Sequence, residues 1–144
     1  MNLVKYSALF LFISISYNTY GGNAVLGNLE QTSNTVSSKT FIDTTSVRES
    51  NGYIYYSFVE EMVLPFDDGA WTLIYHMVAL CQSKSHLLYQ LTTYPSPLRW
   101  GPLVESQGKV HEYNDTEWNY FDPSSQEYKI VCDPANYMIL RRSS

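Results

Sequence analysis

The sequence predicts an α+β domain, an antiparallel sheet of about five or six strands with a C-terminal helix tied to it by a disulfide. Three observations carry that expectation. Tyrosine dominates the aromatic residues, with 13 Tyr, 6 Phe and 3 Trp in 144 residues, and such side chains suit pleated, half-buried strands. Short apolar runs alternate with Gly, Pro and Asn punctuation, as strands and turns do. The segment after Pro123 changes to helical spacing and ends in the second of only two cysteines.

Residues 1–22 read as a signal peptide: Lys5, then an apolar run from Ser7 to Ile15, then small residues near Gly21 to Ala24. The run is too short for a bilayer, which needs roughly 20 apolar residues. Removing the segment leaves 8 basic against 14 acidic residues. A negative surface of this kind disfavours nucleic acid and anionic lipid as partners. No cysteine precedes Cys81, so a lipid-anchoring cysteine is not expected, nor is stable membrane insertion after cleavage. Residues 23–38, rich in Gly, Asn, Ser and Thr, read as a flexible leader. A strand near "AVLGNL" is the alternative within it.

"KTFIDTTSV" reads as the first strand, and Asn51-Gly52 suits a tight hairpin into "YIYYSFVEEMVL". That second run is apolar on both parities, so one face is expected to meet a helix. "PFDDG" breaks the pattern, with Asp67-Asp68 as a solvated turn lacking calcium-loop spacing. "WTLIYHMVALCQ" and "HLLYQLTTY" follow as a third and fourth strand joined by a short turn. "PSPLRWGP" ends the fourth, because proline denies the ladder a donor. "LVES" and "KVHEYN" read as one further hairpin. In "DPSSQEYKIVCDP", Ser124 and Glu127 have capping-box spacing and predict a short helix ending near Pro134.

Two cysteines in an exported chain are most simply one disulfide, Cys81 to Cys132. A zinc site wants four closely spaced ligands, and a redox motif wants C-x-x-C; the sequence has neither pattern. No cofactor or metal is expected. His76, His86 and His111 lack any G-x-S-x-G or H-E-x-x-H context, so an enzyme is not expected. Leu98-Arg99-Trp100-Gly101 carries residue types enriched at binding hot spots. Its plainer reading is a Trp folded over the sheet edge. Asn114-Asp115-Thr116 fits a glycosylation sequon, and Arg141-Arg142 reads as a solvated tail.

The order "FIDTTSV", a central strand ending in "VALC", then Trp118, Pro123-Ser124 and "VC" resembles the surface-adhesin protein E family over residues 41–132. On that resemblance residues 39–144 form an adhesin-E-like domain. It implies a Cys81–Cys132 disulfide, an antiparallel sheet with a C-terminal helix, and export in a Gram-negative bacterium, to the periplasm, cell surface or medium. It further implies a non-enzymatic protein-binding module, an adhesin for host extracellular-matrix or serum proteins such as vitronectin and laminin. Ligand-binding residues do not transfer. The alternative is a periplasmic inhibitor or immunity-type protein that blocks an enzyme.

Overall fold

A computed structural model describes residues 25–114 and 117–136. The chain is mostly β. Among the described residues its strands are β1 (Leu29–Asn34), β2 (Ser38–Ser50), β3 (Tyr53–Met62), β4 (Thr72–Leu80), β5 (Ser85–Tyr94), β6 (Lys109–Glu112) and β7 (Asn119–Tyr120), with a short helix, α1 (Gln126–Val131), that stops before Pro134, where residues 134–136 start a second helical stretch. They form one antiparallel sheet in the order β1-β2-β3-β4-β5-β6, with β7 paired to β5 beside β6. Seven strands and a six-residue helix make the sheet more dominant than the expected α+β balance.

Local chemistry explains the main hairpins. Asn51 and Gly52 have φ of 53° and 84°, the paired positive values of a two-residue hairpin turn that Asn-Gly adopts readily. β4 turns into β5 over residues 81–84, where the Lys84 N–H donates to Cys81 O at 3.2 Å. Two expectations differ. Residues 29–34, inside the segment read as a leader, form β1, whose Leu29 is buried. "LVES" is not a strand: Val104 makes a single bridge and Glu105–Gln107 is a 3₁₀ turn, while Lys109–Glu112 extends the sheet from β5. The signal segment, the sequon's Asp115 and Thr116, and Arg141-Arg142 lie outside the described residues.

Asp43 anchors the start of the chain. Its buried carboxylate accepts from Gly27 N–H, Asn28 N–H, Thr45 N–H and the Thr45 hydroxyl. Four donors satisfy a charge that would otherwise be costly to bury. The β2–β3 register shifts between Asp43 and Arg48, and Ser46 bridges the irregularity by donating to Asp43 O and accepting from Ser57 N–H.

The core is split between the two faces of the sheet. At the α1 end, Ile42, Val47, Ile54, Tyr56 and Ala79 pack against Phe121, Ile130 and Val131. At the other end, Val59 and Ile74, of opposite parity in their strands, pack with Tyr94 beneath Leu26, Leu29, Leu98 and Leu103. Each end of the sheet is therefore covered on one face. Opposite α1, the other face stays open.

Candidate interaction surface

The C-terminal segment is fixed to the sheet by covalent and polar ties together. Cys81, just beyond β4, and Cys132, the C-cap of α1, are disulfide-bonded across 51 residues with Cα atoms 5.7 Å apart, inside the usual range for a disulfide. The Tyr128 hydroxyl donates to Cys81 O at 3.0 Å. The helix is capped by Ser125, one residue later than the spacing predicts, and the Ser125 hydroxyl accepts from Tyr128 N–H. Ser124 instead donates to Asp122, whose carboxyl those bonds hold below its ordinary value.

Freed from the cap, Glu127 points into the sheet. The Tyr56 hydroxyl donates to Glu127 Oε1 at 2.7 Å and lies 2.9 Å from His86 Nδ1. A phenol has one proton, so with that proton on Glu127 the His86 Nδ1–H is the donor to Tyr56. Phe121 stacks on His86 at 4.2 Å and on Tyr56 at 6.0 Å. Burial raises Glu127 above its ordinary value despite the Tyr56 bond, and raises Tyr56. Burial also lowers His86. The Glu127 carboxylate 3.9 Å away favours the imidazolium, but loss of solvent outweighs it.

The other two histidines sit apart from this cluster. His76 on β4 lies 3.5 Å from Ser57 Oγ, longer than an effective hydrogen bond. Its Nε2 meets the Thr92 hydroxyl at 3.1 Å, where a catalytic triad would place a carboxylate. His111 is exposed on β6 opposite Leu91. Among the described residues no group of His, Cys, Asp and Glu is arranged to hold a metal ion.

The open face opposite α1 carries aromatic and cationic groups. Tyr55 pairs with Val78 on β4, and Val78 with Leu87 on β5. Tyr55 meets Tyr89 edge-on at 6.1 Å, and the Arg48 guanidinium lies 5.7 Å above the Tyr55 ring. Tyr53 contacts Trp118 at 6.4 Å, and both rings are exposed. Tyr120, opposite Ser85, is exposed on the same face, while its neighbour Phe121 turns inward to the core. Sequence reasoning assigned no ligand-binding residue. Strand parity held the signal: Tyr53, Tyr55 and Trp118 oppose the buried Ile54, Tyr56 and Phe121. No family model, curated protein or solved structure matches the chain. The site rests on its own geometry. Among the described residues no helix is long and apolar enough to cross a membrane.

Proposed function

We propose that this chain is an exported, non-enzymatic protein-binding module whose contact surface is the open face bearing Arg48, Tyr53, Tyr55, Tyr89, Trp118 and Tyr120. The observation that carries the reading is their placement on and beside paired strands, so the rings are held in position before any partner arrives. Tyr, Trp and Arg dominate interface hot spots, and the Tyr and Trp rings offer large contact area with a polar tip at little loss of rotamer freedom. The disulfide supports passage through an oxidising compartment.

The partner class follows the resemblance to adhesin protein E: a host extracellular-matrix or serum protein. His76 bonded to Thr92 supports a non-catalytic role. The test is surface-plasmon titration of immobilised disulfide-bonded protein with laminin and vitronectin, beside a Tyr55→Ser/Tyr120→Ser variant. Saturable binding that the variant loses supports the reading. Absence of saturable binding to either protein counts against the adhesin, and binding that survives the substitutions counts against this face.

A further inference from the structure

Three loops meet at the end of the sheet away from the disulfide, and each presents large apolar side chains to solvent. Val36 in the β1–β2 turn is 96% exposed, Leu64 and Phe66 between β3 and β4 are 74% and 45% exposed, and Trp100 after β5 is 67% exposed. Bonds between the loops place them together. Val63 N–H donates to Ser37 O at 2.9 Å, the Arg99 guanidinium donates to Met62 O at 3.3 Å, and Trp100 lies 5.3 Å from Trp71.

These loops are ordered from beneath. Pro97 is fully buried and Leu98 lies in the core. Thr72 Oγ1 donates to Ser96 O at 2.7 Å. Arg99, rather than Trp100, folds back: its N–H donates to Glu61 at 2.9 Å, and its guanidinium lies 3.6 Å from that carboxylate and 5.0 Å above Trp71. In the neighbouring loop Phe66 N–H donates to Ala70 O and Gly69 N–H to Phe66 O. Single exposed apolar residues need no explanation, but several on adjoining ordered loops mark an interaction site.

Charge selects the occupant. Asp67 and Asp68 sit between Phe66 and Trp71, exposed and outside the ion pairs of the described residues. Arg99 is paired with Glu61; counting Lys39, which stands opposite Glu61 in the β2–β3 ladder, Glu61, Asp67 and Asp68 still exceed Arg99 and Lys39 by one negative charge. A bilayer would accept the apolar tips but would have to desolvate two carboxylates. A basic, apolar peptide segment satisfies both. We infer that this end of the sheet is a second contact surface, which docks a protein segment carrying apolar anchors beside lysine or arginine. It shares with the proposed function the premise that the chain binds proteins, but uses other residues, about 30 Å along the strands from Tyr53.

Phage-displayed random peptides selected on the full disulfide-bonded chain test it. The expected peptides combine Trp, Phe or Leu with Lys or Arg. The synthetic consensus peptide should lose about tenfold or more in affinity for Leu64→Ser/Trp100→Ser, as for removal of an interface anchor. It should lose roughly threefold for Asp67→Asn/Asp68→Asn, with a shallower salt dependence. The Tyr55→Ser/Tyr120→Ser variant should bind it unchanged, which separates this surface from the open face. Unchanged thermal melting of the loop variants verifies folding, since the substituted side chains are exposed. No enriched peptide, peptides without basic residues, or equal affinity for the loop variants would overturn the inference. So would phosphatidylcholine-vesicle binding, or dimerisation by sedimentation, that Leu64→Ser/Trp100→Ser abolishes, because the occupant would then be a membrane or a second copy.

Discussion

Tyr56 on β3 and Glu127 on α1, 71 residues apart, meet in a 2.7 Å hydrogen bond within the core that the disulfide closes. Removing one partner of such a bond leaves the other buried without a mate, which costs about 1–3 kcal/mol. Tyr56→Phe also strips His86 of its acceptor. Tyr56→Phe should therefore lower unfolding free energy by about that amount, and a double-mutant cycle with Glu127→Gln should give roughly 0.5–3 kcal/mol of coupling. Additive effects in urea melts would show that the two side chains act independently.

The same cluster sets a pH signature. Glu127 is raised from an ordinary value of 4.5, so its contribution is fully present below that value and is lost as pH rises through the folded value. His86 is lowered from 6.5, so its contribution is present above 6.5 and is lost as pH falls through the folded value. Wild type should lose stability relative to Glu127→Gln as pH rises above 4.5. It should lose stability relative to His86→Gln as pH falls below 6.5. Chemical denaturation across pH 4 to 8 reads both slopes, and parallel curves would contradict the assignment.

Reduction should be costly. Closing 51 residues of separation is worth about 4 kcal/mol in the chain-entropy model, against a net stability of roughly 5–15 kcal/mol for a domain. Cys81→Ala/Cys132→Ala should thus melt far below the oxidised protein, and hydrogen exchange should show α1 losing protection first. A change under about 1 kcal/mol would mean that packing by Ile130 and Val131 alone holds the helix.

Gly27 tests the anchor of the first strand. A Cβ there would collide with the Thr45 side chain, which itself donates to Asp43. Gly27→Ala should cost about 1–3 kcal/mol through overpacking, with increased proteolysis near residues 25–34. Wild-type protease resistance would show that the segment shifts without penalty.

Particular residues explain what could be read in advance. Asn51-Gly52 announced its hairpin because few other pairs tolerate two positive φ values. The helix and its tie to Cys81 were legible, yet the cap moved to Ser125 because Asp122 captures Ser124. β1 starts at the end of the "AVLGNL" alternative and runs into "EQTSN", which is too polar to signal a strand; its order comes from ladder bonds to β2 and from Asp43 holding Gly27 and Asn28 just before it. Of the two readings of Trp100, exposed anchor or ring folded over the sheet edge, the structure takes part of each: the ring meets Trp71 at 5.3 Å yet stays 67% exposed, while Glu61 and Trp71 hold Arg99 against the sheet. The last two outcomes depend on contacts 15 to 38 residues apart, beyond any local pattern.

The central claim is that the face opposite α1 binds protein. The most direct measurement is amide and side-chain NMR of the disulfide-bonded chain during titration with a laminin fragment. The account predicts saturable shifts centred on Tyr53, Tyr55, Tyr89, Trp118 and Tyr120, with α1 unmoved. Shifts confined to α1 and the disulfide end, or no saturable shift, would contradict it.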